Sequence, residues 1–196
     1  VKCFINTGTN SEYGIKEKPM KETDILEPDN LYAITKAAAS SYCQMMAKKY
    51  NFPVVTIRPF AVYGPFEEKG RLIPEIITAY LKNTTPKLSN PKSVRDFIFI
   101  DDLMSGYLAA IKNIKKIKGE VFNLGSGIQH SIGQVTDIVG VQPLYGTIKK
   151  VQTEPATWVA DISKAKKLLK WKPTYSLEKG LKKNIEWFRD HLNFYA

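Results

Sequence analysis

Two short apolar runs flank a long helical segment near the start of the chain, and this order constrains the fold most. Residues 2–7 (KCFINT) and 54–60 (VVTIRPF) have the pattern of buried strands. Between them, residues 31–50 carry apolar side chains at helical spacing, which predicts a long helix capped by Asp29 or Asn30. A strand–helix–strand unit of this kind predicts two parallel strands in an α/β fold.

The rest of the chain alternates short strands and helices, which predicts a smaller α/β lobe on a larger sheet. Strands are predicted at 95–100 and 120–124, and helices at 73–82, from Asp101 or Asp102 to about 112, from 131 or 132 onward, at 163–169 and at 177–191. Asp101 and Asp102 resemble a pair of catalytic carboxylates. An Asp between a strand and a helix is more often an N-cap, however, and we expect that role.

Composition excludes several classes of protein. The 196 residues are 43% hydrophobic and 24% charged, which is typical of a folded domain, and no apolar run approaches the ~20 residues of a membrane span. The net charge is +10, but only four of the 29 basic residues are arginine and the lysines scatter along amphipathic segments. We therefore expect a solvated surface and no nucleic-acid interface.

The two cysteines and the N-terminal residues indicate the compartment. Cys3 and Cys43 are too few for a disulfide framework or a zinc site, so we expect two buried, inert thiols and no metal. The N-terminal residues have neither the basic region nor the cleavage site of a signal peptide. A cytoplasmic location is therefore expected.

Tyr32 and Lys36 lie four residues apart on the predicted helix, so both side chains fall on one helical face. A phenol with a pKa of ~10 is a poor base at neutral pH, whereas a fixed ammonium beside it favours the phenolate. The pair is thus a plausible general acid/base for alcohol and ketone chemistry, although this spacing alone is common. Thr9 follows the preceding strand, where parallel α/β sheets place ligand sites, and its hydroxyl is expected to bond the same substrate oxygen.

Six segments together resemble a known family. They are TGTNSEYG (7–14), YAITK (32–36), RPFAVYGP (58–65), RDFIFIDDL (95–103), FNLGSG (122–127) and LKWKPTYSLEKGL (169–181). Their order and spacing resemble the extended short-chain dehydrogenase/reductase superfamily, in its NAD-dependent epimerase/dehydratase branch that acts on nucleotide sugars. The resemblance implies a Rossmann-like, doubly wound parallel sheet with a smaller C-terminal α/β substrate lobe. Residues 1–65 would complete the cofactor domain, and 66–196 would form mainly the substrate lobe, with segments returning to the main sheet.

The family also has a glycine-rich phosphate loop, and the printed sequence contains no Gly-x-x-Gly-x-x-Gly. The first predicted strand of this chain, at residues 2–7, resembles the fifth strand of the family's sheet. We therefore expect a fragment, inactive on its own, that lacks the N-terminal half of the sheet. The resemblance places Gly125-Ser126-Gly127 on the substrate side, and a plain tight turn is the alternative.

The resemblance assigns roles residue by residue. The expected catalytic residues are the acid/base Tyr32, its supporting Lys36 and the hydroxyl donor Thr9. The expected contacts to the nicotinamide part of NAD or NADP come from Lys36, Pro59, Phe60 and Val62, with backbone groups meeting the carboxamide. The expected substrate contacts come from Asn10, Ser11, Leu72 and Arg95. The plain alternatives are a surface ion pair with Asp96 for Arg95, and a core position for Leu72 and its neighbour Ile73.

One departure from the family pattern reduces the number of reactions that the chain is expected to catalyse. Family dehydratases follow the catalytic Thr with Asp-Glu, whereas Asn10 and Ser11 follow Thr9 here and Glu12 is displaced in register. Neither Asn nor Ser transfers a proton at neutral pH. We therefore expect a nucleotide-sugar 4-epimerase or 4-ketoreductase ahead of a 4,6-dehydratase. The resemblance also implies a homodimer. An inactive binding or scaffold protein and an RNA-binding relative are the alternatives from other classes.

Overall fold

The chain folds around a parallel sheet, seen in a computed structural model that describes residues 1–146 and 156–195. The strands are β1 (Phe4–Thr7), β2 (Val54–Pro59), β3 (Ala61–Tyr63), β4 (Lys87–Leu88), β5 (Val94–Arg95), β6 (Phe97–Phe99), β7 (Val121–Leu124), β8 (His130–Ser131) and β9 (Leu144–Tyr145). The helices are α1 (Leu31–Tyr50), α2 (Leu72–Lys82), α3 (Ile100–Ile117), α4 (Ile132–Val139) and α5 (Leu177–His191). Short helical turns lie at Asn10–Tyr13, Ala165–Leu169 and Leu192–Tyr195.

The main sheet has the order β1–β2–β7, and all three strands run parallel. Phe4 lies opposite Val54, and Ile57 lies opposite Phe122. The predicted strand–helix–strand unit with parallel strands is confirmed. Because the strands are parallel, the residues that follow β1 and β2 emerge at the same edge of the sheet.

Helix α1 joins these two strands and has the predicted bounds. The side chain of Asn30 caps it by accepting a hydrogen bond from the Ala33 amide at 3.0 Å, so Asn30, and not Asp29, is the N-cap. Asn51 ends the helix in a left-handed conformation at φ 53°. Among the helix residues only Ala33, Ser40 and Cys43 are buried, which leaves most of α1 at the surface.

Two hydrophobic cores lie on either side of the β3–β6 pair. The core of the main sheet is built around Ile57, Phe122 and Leu124, and it includes Ile98 and Trp171 from later parts of the chain. The second core packs α2, α4 and α5 together through side chains such as Ile76, Val135, Leu181 and Phe188. Strand β3 pairs in parallel with β6 and connects the two cores.

The predicted N-cap role of Asp101 and Asp102 is wrong. Helix α3 begins at Ile100, one residue before them, and no side chain caps it. Asp102 is buried, and its carboxylate accepts hydrogen bonds from the Thr174 amide and hydroxyl (2.9 and 2.8 Å) and from the Tyr175 amide (2.9 Å). The Asp102 carboxylate is therefore bonded to a distant segment of the chain and does not cap α3.

Smaller corrections concern element boundaries and a thiol. The predicted strand at 95–100 is divided into β5 and β6, and α3 continues to Ile117, past the predicted end near 112. Cys43 is buried as expected, but Cys3 is only half-buried; burial raises the pKa of both thiols. Across residues 1–146 and 156–195, no helix is long and apolar enough to cross a membrane, and no cluster of three potential metal-ligating side chains occurs.

Candidate active site

Tyr32 and Lys36 share one face of α1 at the carboxyl edge of the sheet. The Lys36 ammonium donates a hydrogen bond to the Thr7 carbonyl at 2.9 Å, which anchors it to the last residue of β1. The same ammonium lies 5.7 Å from the centroid of the Tyr32 ring. Tyr32 is 56% exposed, so its hydroxyl group is open to a ligand.

Thr9 caps the short turn Asn10–Tyr13 that follows β1. Its hydroxyl accepts a hydrogen bond from the Ser11 amide at 3.3 Å and donates one to Asn10 Oδ1 at 3.4 Å. Both bonds are long and therefore weak, so the hydroxyl can exchange them for a bond to a ligand at small cost. Thr9 and Asn10 are buried and Ser11 is half-buried, which places all three predicted residues in one turn beside α1.

Glu12 closes this turn from inside, a role that the sequence reasoning missed. Its carboxylate accepts a hydrogen bond from the Thr9 amide at 2.9 Å and completes a capping box with the Thr9 side chain. It also forms a buried ion pair with Arg58 of β2, with Nη2 and Oε2 2.8 Å apart. An arginine within the apolar run VVTIRPF was the available signal, because a buried charge requires a partner.

The ion pair extends into a chain of hydrogen bonds across the sheet. Arg58 Nη1 donates to the Tyr13 hydroxyl at 2.9 Å, and that hydroxyl donates to Asn123 Oδ1 at 2.7 Å. Burial raises the pKa of Tyr13 to about 12, so this phenol stays protonated at neutral pH. Tyr13 therefore belongs to the scaffold of the site.

The predicted nicotinamide contacts lie just past the end of β2. Pro59 ends that strand, Phe60 is buried, and Val62 is a half-buried residue of β3. The Phe60 amide donates to the Leu124 carbonyl at 3.0 Å, and the Ala61 amide donates to the Asp96 carbonyl at 2.9 Å. Those two amides are occupied, so a carboxamide at this strand end has to meet other backbone groups.

The predicted substrate residues Leu72 and Arg95 lie on later elements. Leu72 is the half-buried first residue of α2, whereas its neighbour Ile73 is in the second core. The Arg95 guanidinium lies over the Trp158 ring, 5.6 Å from its centroid, and burial lowers the pKa of Arg95. A half-buried guanidinium on an aromatic ring is suited to an anion, but the structure does not bring Arg95 into the Thr9 turn.

Asp96 is fully buried, so the surface ion pair with Arg95 named as the plain alternative is wrong. The Asp96 carboxylate accepts hydrogen bonds from the amides of Ser126, Gly127 and Ala160 at 2.6, 3.0 and 3.0 Å. Gly125 has to be glycine, since a Cβ there would lie 2.5 Å from Asp96 Oδ2. The Gly125-Ser126-Gly127 turn therefore binds a carboxylate of its own chain.

Known proteins resemble this chain along nearly its whole length. The sequence model of the NAD dependent epimerase/dehydratase family matches residues 1–125. A UDP-glucuronate 4-epimerase of Thermodesulfobacterium geofontis is 32% identical over 98% of this chain and 61% of its own length. A human dTDP-D-glucose 4,6-dehydratase is 29% identical over 98% of this chain and 58% of its own length. The chain thus spans about 60% of the length of the curated relatives it matches.

Solved structures share the fold. The UDP-glucuronic acid 4-epimerase of Bacillus cereus, determined in complex with UDP-glucuronic acid and NAD, is 32% identical and superposes with a TM-score of 0.87. The match covers 96% of this chain and 62% of the epimerase chain. The expected Rossmann-like α/β fold with a parallel sheet is confirmed.

Proposed function

The chain belongs to the NAD dependent epimerase/dehydratase family, and from that premise we propose that the protein transfers hydride at C4 of a nucleotide sugar, as an NAD- or NADP-dependent 4-epimerase or 4-ketoreductase. The observation that carries the proposal is the convergence of three groups at one edge of the sheet. Tyr32 is exposed, Lys36 is anchored beside it, and Thr9 lies in the turn packed against the same helix. These are the groups that alcohol–ketone chemistry requires.

The groups at this edge fit a nicotinamide nucleotide. An ammonium has three N–H donors, and within the described residues the bond to Thr7 uses one of them. The others are suited to the hydroxyls of a ribose, and Phe60 and Val62 border the end of the neighbouring strand. When bound, NAD or NADP supplies the hydride acceptor and donor.

The chain's own residues move the proton. The Tyr32 oxygen takes the proton of the 4-hydroxyl as C4 is oxidised to the ketone, and it returns the proton to O4 as C4 is reduced. The Lys36 charge stabilises the phenolate form of Tyr32, which takes the proton at the start and is formed again when the proton returns to O4. The Thr9 hydroxyl donates a hydrogen bond to O4 and holds that oxygen beside Tyr32.

The second candidate function is 4,6-dehydration, because one relative is a dTDP-D-glucose 4,6-dehydratase. Water elimination needs an acid and a base near the sugar, in addition to Tyr32. Asn10 and Ser11 follow Thr9, and neither transfers a proton. Glu12 is enclosed and paired with Arg58, so its carboxylate is directed away from any ligand. These contacts favour epimerisation or reduction.

We also propose a cytoplasmic homodimer that forms through α1. Five apolar side chains at helical spacing are exposed along this helix: Leu31, Ile34, Ala38, Tyr42 and Met45. Such a stripe on a 20-residue helix favours packing against a second copy of itself. Free cysteines in the described residues support a reducing compartment.

The reaction is tested with the full-length product of the gene that encodes this chain. UDP-glucose, UDP-glucuronic acid and dTDP-glucose are each incubated with NAD, and products are followed by NMR. A 4-keto-6-deoxy sugar is separately supplied with reduced cofactor. We expect a 4-epimer in the first assay or a 4-hydroxyl in the second. A 4-keto-6-deoxy product from a nucleotide glucose would establish the dehydratase instead, and no conversion in either assay would favour an inactive binding protein.

A further inference from the structure

The ion pair of Glu12 and Arg58 is almost completely enclosed. The side chains are 0% and 2% exposed, and Arg58 contacts Glu12 Oε2 through both Nε and Nη2 at 2.8 Å. Enclosing two charges has a large desolvation cost, and apolar residues of similar volume often stabilise a fold as well or better. A gain in the stability of the fold therefore explains this buried pair poorly. The positions that the pair imposes on the groups around it explain it better.

The second oxygen of the Glu12 carboxylate joins two parts of the proposed active site. Oε1 accepts hydrogen bonds from the Thr9 amide at 2.9 Å and from the Ser40 hydroxyl at 3.0 Å. Ser40 lies on α1, one helical turn beyond Lys36 and two beyond Tyr32. One carboxylate thus connects the turn that bears Thr9 to the helix that bears the acid/base.

Arg58 holds this carboxylate from the sheet. It belongs to the central strand β2, and its bond to Tyr13 leads on to Asn123 of β7. Gly8 leaves the space that the arrangement needs, because a Cβ at that position would collide with Glu12 Oε1. The turn, the helix and strand β2 therefore meet at a single buried anion, and Tyr13 links Arg58 onward to β7.

We propose that Glu12 is a positioning residue of the active site: with Arg58 it fixes the Thr9 turn against the helix that carries Tyr32 and Lys36. This inference rests on the proposed function, since it assigns Glu12 to the same site. Glu12 does not contact substrate in this role. It acts through the amide of Thr9 and the hydroxyl of Ser40.

The first variant is Glu12→Gln. A Gln side chain keeps an acceptor oxygen but turns an amide donor toward Thr9, Ser40 or Arg58, which are themselves donors. We expect kcat to fall by about 10- to 100-fold, the effect of a small misplacement of reacting groups, while KM and cofactor affinity change by less than about threefold. Glu17→Gln, an exposed carboxylate in the following loop, is the matched control and should leave all three unchanged.

The second variant keeps the ion pair intact, in case Glu12→Gln folds poorly. Ser40→Ala removes the bond between the carboxylate and α1, together with the long 3.4 Å bond that the Asn6 side chain donates to the Ser40 hydroxyl. Ser41→Ala alters the exposed neighbour as a control. We expect Ser40→Ala to lower kcat by several-fold with KM unchanged, and Ser40→Thr to restore kcat because it returns the hydroxyl. Wild-type kcat in both Glu12→Gln and Ser40→Ala would overturn the proposal.

Hydrogen exchange separates this inference from the proposed reaction. In Ser40→Ala and Glu12→Gln, the amides of residues 8–14 should exchange faster than in the wild type, while α5 is unchanged. If the wild-type protein converts no nucleotide sugar, the proposed function fails, yet faster exchange confined to 8–14 still supports the anchoring role. Unchanged exchange in that segment, or an equal rise over the whole chain, would overturn it.

Discussion

Asp102 should be one of the carboxylates on which the stability of this fold depends most. It lies in the first turn of α3, and both of its oxygens accept hydrogen bonds from a segment more than 70 residues later in the chain. The Thr174 amide bonds to both oxygens at 2.9 Å, the Thr174 hydroxyl bonds at 2.8 Å, and the Tyr175 amide bonds at 2.9 Å. The substitution Asp102→Asn keeps the shape of the side chain and replaces one acceptor oxygen by a donor.

The cost follows from these contacts. An Asn oxygen that still faces Thr174 leaves the Tyr175 amide opposite an NH₂ group, and the remaining bonds lose their charge. Hydrogen bonds to a charged group contribute about 1.5–3 kcal/mol, and a buried donor left unsatisfied costs about 1–3 kcal/mol. We therefore expect the free energy of unfolding to fall by about 2–4 kcal/mol.

Urea unfolding monitored by tryptophan fluorescence measures this change. With a slope of about 2 kcal/mol per molar urea, the middle of the usual range, the midpoint should fall by roughly 1–2 M. Asp101→Asn is the matched control, because Asp101 is adjacent but half-exposed and pairs at the surface with Lys183 at 2.7 Å. Exposed ion pairs are weak, so this variant should unfold close to the wild type. Equal midpoints for Asp102→Asn and Asp101→Asn would show that the buried contacts of Asp102 contribute no more to stability than a surface ion pair.

Two further predictions concern Glu67 and α1. Burial raises the pKa of Glu67 to about 7, whereas a Glu side chain in an unfolded chain has a pKa of ~4.3. The protonated form therefore stabilises the fold fully below pH ~4.3, and this stabilisation is lost as the pH rises through 7. Above pH 7, Glu67→Gln should unfold at higher urea than the wild type, whereas the exposed control Glu68→Gln should not. If the urea midpoints of Glu67→Gln and the wild type changed with pH in parallel, the raised pKa of Glu67 would be contradicted. At α1, Met45→Glu should convert a dimer to a monomer in sedimentation velocity, whereas Gln44→Glu beside the stripe should not; a dimer in both variants would place the interface elsewhere.

Local patterns predicted the elements well, and contacts distant in sequence explain what was missed. The bounds of α1 and α5 match the predicted 31–50 and 177–191, because spacing and capping residues are visible within a few positions. Tyr32 and Lys36 fall on one face for the same reason. The Glu12–Arg58 pair joins residues 46 apart, and the Asp102–Thr174 bond joins residues 72 apart. Single positions in one sequence do not reveal such partners, so Glu12 was interpreted only by its register and Asp102 as a cap.

The variant Tyr32→Phe tests whether Tyr32 exchanges the proton with the sugar oxygen, because it removes only the hydroxyl of that side chain. The variant is compared with Tyr50→Phe, which removes the hydroxyl of another exposed tyrosine on the same helix, outside the apolar stripe. Turnover on the nucleotide sugar and the affinity for NAD or NADP are measured for both. We expect Tyr32→Phe to lower turnover by about 10²- to 10⁴-fold with cofactor affinity nearly unchanged, and Tyr50→Phe to resemble the wild type. Turnover of Tyr32→Phe within a few-fold of the wild type would exclude Tyr32 as the acid/base.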